Sequence, residues 1–216
     1  MRGLADLSLR YILNVPTNRP DTDELPLVVM IHGRGADMND LADLAPMLDP
    51  AGGARFVFPN APRPFEAGPG MTFGWTWFDG WPPEQTSVAA SRVTLLKFID
   101  ELLARYPTSK LVISGFSQGA MMALDAGLRS KEKLAGIVAM SGGLYEADLD
   151  LSAATRVPIL IAHGSADDVV PVMYARRARM TLENAGFDVE YHEYPMAHQV
   201  VMEEIGIVKS FLERVC

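Results

Sequence analysis

Short apolar runs, each about one strand long, recur along this chain, and helical patterns separate most of them. The runs are Leu9–Asn14, Leu27–His32, Arg55–Pro59, Leu111–Ser114, Leu134–Met140, Ile159–His163 and Val189–Tyr194. Leu111, Val112 and Ile113 are apolar at consecutive positions, the pattern of a strand covered on both faces. Asn39–Leu48 carries apolar residues at Leu41, Leu44, Ala45 and Leu48. Val88–Arg105 places Leu95, Leu96, Ile99, Leu102 and Leu103 on one face before Pro107 ends it. Met121–Arg129, Val172–Ala185 and Val200–Val215 supply three more helices. Strands alternating with helices imply an α/β fold: a mostly parallel, doubly wound sheet with helices on both faces. A length of 216 residues suits one such domain over 1–216 better than two small ones.

One segment breaks the alternation. Ala61–Ser87 reads APRPFEAGPGMTFGWTWFDGWPPEQTS, rich in proline, glycine and aromatics, and holds all three tryptophans, Trp75, Trp77 and Trp81. Loops this long inside a domain are functional or disordered, and the aromatic content argues for order. The segment therefore reads as an aromatic mini-core, as a wall or flap over a pocket, or as both.

Charge excludes several classes of function. The net charge is −8 with no basic stripe, which speaks against a nucleic-acid partner. The densest basic group, Arg176, Arg177 and Arg179, fits a solvated helix face. The single cysteine, Cys216, forms no internal disulfide and lies in no prenylation pattern. The first residues, MRGLADLSLR, lack an apolar signal core, and no apolar run approaches the length of a membrane span. A cytoplasmic protein without stable membrane insertion is expected.

Within Leu111–Gly127 the chain reads LVISGFSQGAMMALDAG, a strand, then Gly115-Phe116-Ser117-Gln118-Gly119, then a helix. A G-x-S-x-G at a strand-to-helix turn holds the serine in a strained backbone, and close packing leaves no room for a Cβ on either side. Ser117 then stands beyond the carboxyl end of its strand, where ligands of such sheets sit, with the Gln118 N–H beside it.

A serine hydroxyl needs a base, and the base needs an orienting carboxylate. His192 falls inside the strand candidate VEYHEY, while His32 and His163 end strands and precede glycines. His198 follows Pro195 in a loop before the last helix, in the chain order serine, acid, histidine. The acid belongs to HGSADDVVP, where Asp167 and Asp168 both qualify by spacing, one to orient the histidine and the other to cap the next helix. In MIHGRGADMND, Gly33 and Gly35 let the backbone approach a ligand, so the N–H of Arg34 or a neighbour is a second oxyanion donor beside Gln118. A tight turn alone would also use those glycines. His192-Glu193 begins no zinc motif, HGRGAD is an incomplete dinucleotide fingerprint, and there is no P-loop.

Four ordered blocks, MIHGRGAD, SGFSQGA, AHGSADDVVP and YPMAHQV, together with WTWFD at Trp75–Asp79, resemble the phospholipase/carboxylesterase family of α/β-hydrolases over nearly the whole chain. That family includes acyl-protein thioesterases and bacterial carboxylesterases. The resemblance implies Ser117 as nucleophile, Asp167 rather than Asp168 as acid, His198 as base, and the backbone of Arg34 and Gln118 as oxyanion donors. The sequence departs where the family usually has leucine, at Arg34, and where SGFSQGA ends in alanine instead of a further glycine. No N-terminal cysteine offers an acylation site. Family members that dimerise make a homodimer a candidate assembly.

The expected function is hydrolysis of carboxylic esters, or of thioesters or lysophospholipids, through an acyl-enzyme, with no cofactor and no metal. Trp75, Trp77, Phe78 and Trp81 are the candidate lining of an acyl pocket. A histidine base acts only when neutral, so activity is expected to rise with pH through the ordinary imidazole range, about 6 to 7. Two rivals are an amide-cleaving serine hydrolase and a catalytically silent α/β-hydrolase scaffold that binds a ligand or partner.

Overall fold

In the computed structural model, seven strands form one sheet in the order β1-β3-β2-β6-β7-β8-β9. Residues 3–16, 20–22, 25–49, 51–68 and 70–216 are described. The strands are β1 (Tyr11–Asn14), β2 (Leu27–Ile31), β3 (Arg55–Pro59), β6 (Leu111–Phe116), β7 (Leu134–Met140), β8 (Ile159–Gly164) and β9 (Val189–Tyr194). Only β1 runs antiparallel, against β3; every other neighbour pair is parallel. Alternate residues of the consecutive apolar runs feed two separate cores. Ile113, Ile137 and Ile161 enter one, and Val112, Val138 and Leu160 the other. Helices α2 (Gln85–Arg105), α3 (Gln118–Arg129) and α4 (Met173–Asn184) cover the first face. Helices α1 (Ala45–Leu48) and α5 (Met202–Val215) cover the second. This is the mostly parallel, two-sided α/β sheet that the alternation implies.

Two segments differ from the sequence reading. Asn39–Leu48 is not one helix. It is a 3-10 turn at Ala42–Leu44 followed by the single turn of α1, and Pro46 at the start of α1 has no N–H to continue a helix from the preceding turn. Ala61–Ser87 contains the antiparallel hairpin β4 (Arg63–Gly68) and β5 (Met71–Thr76), and its last residues already belong to α2. Beyond the hairpin, Trp77 and Phe78 dip into the first core and anchor the segment there.

The chain order reverses between β2 and β6. From β2 it passes outward to β3 on one side, while β6 pairs on the other. Such a switch opens a crevice at the carboxyl ends of the strands. The loop after β2 and the turn after β6 meet there.

Candidate active site

Ser117 occupies the turn between β6 and α3 with φ 58° and ψ −120°, a left-handed backbone that only a tightly constrained non-glycine residue keeps. Its flanking glycines are required by packing. A Cβ at Gly115 would run into the Gly119 carbonyl, and one at Gly119 into the Ile31 carbonyl of β2. The turn presents Ser117 Oγ 2.9 Å from His198 Nε2.

His198 is fixed on three sides. Its Nδ1–H donates to Asp167 Oδ2 at 2.7 Å. The Phe116 ring packs on the imidazole with centroids 4.8 Å apart. Its loop lies against the end of β8 because a Cβ at Gly164 would collide with the carbonyls of Met196 and Ala197. Asp167 is aimed in turn by the backbone. Its Oδ1 accepts the N–H groups of Val169 (3.0 Å) and Val170 (2.8 Å), leaving Oδ2 for the imidazole. Asp168 is exposed, and α4 has no side-chain cap, so the helix-capping role expected for the second aspartate is not taken. Asp167 itself satisfies the turn, because its carboxylate reaches both N–H groups.

His163 is wholly buried next to this chain. Its Nε2–H donates to Val170 O at 2.7 Å and lies 3.4 Å from Asp167 Oδ2. Burial lowers its pKa and keeps it neutral. His192 sits half-buried on the edge strand β9, with Nε2 3.0 Å from Glu190 Oε1, away from the serine.

The loop after β2 abuts the serine: the position of an added Cβ on Gly33 lies 3.3 Å from Ser117 Cβ. His32 controls this loop. Its Nε2 accepts the Ala61 N–H at 3.0 Å, so the ring proton is on Nδ1, which donates to Gly33 O at 2.7 Å. Burial pushes the His32 pKa down, which preserves that neutral tautomer. Gly33 C=O and Arg34 N–H share one trans peptide plane and point in opposite directions. Holding the carbonyl back on the His32 ring therefore turns the Arg34 N–H to the other side. The hairpin braces the loop from outside through Gly35 N–H to Trp75 O and Trp75 N–H to Ala36 O, both 2.8 Å. The Gln118 N–H is the first of α3 and has no intrahelical acceptor. The Gln118 side chain ties α3 to the aromatic segment, accepting Trp77 N–H (3.0 Å) and donating to Phe78 O (2.7 Å).

These groups surround a cleft of about 310 Å³ that Arg34, Phe78, Trp81, Ser117, Gln118 and His198 help to line. Of the four aromatic residues expected at the pocket, Phe78 and Trp81 are present. Trp77 is not, because it is wholly buried in the core with Nε1–H donating to His32 O at 3.0 Å. Trp75 is not either, because its backbone is bridged to Ala36 and it packs on the first core. Met121, Val169 and Val170 also line the cleft and carried no sequence signal. The roles of His32 and of the Gln118 side chain were missed as well. A histidine that ends a strand just before a glycine was the only hint for the first. Among the described residues no group of histidine, cysteine, aspartate or glutamate is placed to hold a metal ion.

A model of the phospholipase/carboxylesterase family matches residues 15–216. Acyl-protein thioesterase 1 of Mycosarcoma maydis is 33% identical, with 86% of this chain and 89% of its own length covered. Among solved structures, esterase PE8 superposes with a TM-score of 0.83 at 32% identity, covering 98% of this chain and 100% of its own. Acyl-protein thioesterase 2 of Zea mays reaches a TM-score of 0.75 at 25% identity, with 95% and 98% covered.

Proposed function

The chain belongs to the phospholipase/carboxylesterase family of α/β-hydrolases, and from that premise we propose that Ser117, His198 and Asp167 hydrolyse carboxylic esters and thioesters through an acyl-enzyme. The enzyme is a carboxylic ester hydrolase by its relatives, and the triad is our assignment. The observation that carries it is the unbroken relay Ser117 Oγ–His198 Nε2–Asp167 at 2.9 and 2.7 Å, with the serine on a left-handed turn.

In this reading His198 Nε2 takes the Ser117 proton as Oγ attacks the acyl carbonyl, and Asp167 stabilises the resulting imidazolium. The N–H groups of Arg34 and Gln118 receive the oxyanion, aided by the positive end of α3. His198 passes its proton to the departing alcohol or thiol, then activates the water that releases the acid. For the acyl group, the cleft shares Trp81 and Met121 with a neighbouring cavity of about 230 Å³, lined also by Pro82, Leu144 and Tyr174. That apolar lining suits a hydrocarbon chain.

We place the enzyme in the cytoplasm, a reading supported by its lone cysteine. Among the described residues no helix is long and apolar enough to cross a membrane. A homodimer is the assembly to test first, by sedimentation.

The functional test is hydrolysis of p-nitrophenyl esters from acetate to palmitate, with Ser117→Ala as the blank. Loss of the serine should cost ~10⁴-fold or more, and the preferred chain length sizes the acyl pocket. Undiminished turnover by Ser117→Ala, or no turnover of esters or thioesters by the wild type, would sink the proposal.

A further inference from the structure

Arg34 brings to the cleft a positive charge that forms no ion pair among the described residues. Its exposed side chain lines the same cleft as Ser117 and His198, and its guanidinium lies over the Phe65 ring, 4.7 Å from the centroid. Among the described residues it pairs with no carboxylate, whereas Arg63 pairs with Asp79 and Arg177 with Glu146. Asp37, three residues on, spends Oδ1 on the backbone and side-chain amides of Asn39. An aromatic ring positions a guanidinium without neutralising it, so the cation stays available for an anion.

The cleft has two chemically distinct margins. Trp81 and Met121 are shared with the neighbouring cavity, where Trp81 meets Tyr174 edge-on at 5.3 Å and the charged lining, Arg177 and Glu146, is paired with itself, whereas Arg34 lines the cleft and not that cavity. An acyl chain in that cavity with its carbonyl at Ser117 would leave the Arg34 margin for the leaving group. We propose that this enzyme selects esters or thioesters whose leaving group carries an anion, carboxylate or phosphate, received by the Arg34 guanidinium. The inference rests on the hydrolase reading above and adds its substrate class.

Two pairs of hexanoyl thioesters test it: those of 3-mercaptopropionate and its methyl ester, and those of 2-mercaptoethyl phosphate and 2-mercaptoethanol. The readout is the ratio of kcat/KM for the anionic to the neutral member of each pair, taken within one enzyme. Any disturbance that a substitution at Arg34 causes in the oxyanion loop affects both members and cancels. The ratio should fall about tenfold in Arg34→Leu and be partly kept in Arg34→Lys. In the wild type alone it should shrink as salt rises from about 20 to 500 mM, because the Debye length contracts. A preference confined to one pair supports the proposal and identifies the anion. Equal ratios in wild type and Arg34→Leu overturn it. Should the variants fail to fold, a wild-type ratio that does not respond to salt overturns it too. Neutral thioesters turned over with no anion preference refute this inference alone, whereas a wild type inert towards all four refutes the hydrolase reading beneath it.

Discussion

Glu204, in the first turn of α5, is wholly buried, and among the described residues no cation pairs with its carboxylate; the Val201 backbone beside it offsets the burial only in part. Burial pushes its pKa from the ordinary 4.5 up to about 7. Between those two values the folded protein holds a proton that the unfolded chain has released. The stability this group contributes is therefore complete below pH 4.5 and is lost as pH rises through 7, beyond which the fold carries a buried, unpaired charge. A rise of this size, at about 1.4 kcal/mol per unit, corresponds to about 3 kcal/mol. Glu204→Gln cannot titrate and escapes the loss. Its stability relative to wild type should thus improve by about 3 kcal/mol between pH 4.5 and 8, or about 6–12 °C in Tm for a chain of this length. Urea denaturation of both proteins across that range is the assay. His32 and His163, whose pKa values burial lowers, change stability with pH in the opposite direction, but they are common to both proteins and drop out of the difference. A wild-type-to-variant difference that is flat with pH would mean that Glu204 does not titrate differently in the folded and unfolded protein.

Three substitutions probe the site and its supports. Asp167→Asn should lower kcat by ~10⁴ by disturbing the imidazole proton, whereas Asp168→Asn, at an exposed carboxylate, should stay within about twofold of wild type; steady-state ester hydrolysis separates the two. His32→Ala releases Gly33 O and lets the Arg34 N–H turn, so kcat should fall about 10- to 100-fold with KM little changed. Trp77→Ala empties a core position and frees the aromatic segment from His32 O, with an expected loss of about 3–5 kcal/mol in urea titration.

The central strands of the main sheet were legible because they are compact apolar runs serving two cores, a pattern that needs no knowledge of neighbours, whereas the edge strand β9 was legible by the alternation of Val189 and Tyr191 with Glu190 and His192. The hairpin β4–β5 was not, since Met71 and Phe73 face solvent and glycines interrupt it, leaving no alternation to read. Helix α1 shrank because Leu41 and Leu44 have helical spacing but Pro46 allows no continuous hydrogen-bonded ladder. In the candidate site, chain order and turn chemistry pointed to Ser117 and His198 and narrowed the acid to Asp167 or Asp168; only the family resemblance chose Asp167, and the three residues do meet in space. The tryptophans misled because composition tells that an aromatic segment is ordered, not which ring points to solvent. Trp77 turns inward to reach His32 O, a partner 45 residues away. The part His32 plays depends on Ala61 arriving beside it, and only the paired register of β2 and β3 arranges that.

If Ser117 is the nucleophile it becomes acylated during turnover, and the intermediate can be trapped. Enzyme turning over p-nitrophenyl hexanoate is quenched in acid, weighed intact, and mapped by peptide mass spectrometry. One hexanoyl group is expected on the peptide containing Ser117 and none on that of Ser117→Ala. An acyl group on any other residue, or steady turnover by Ser117→Ala, would contradict the assignment of Ser117.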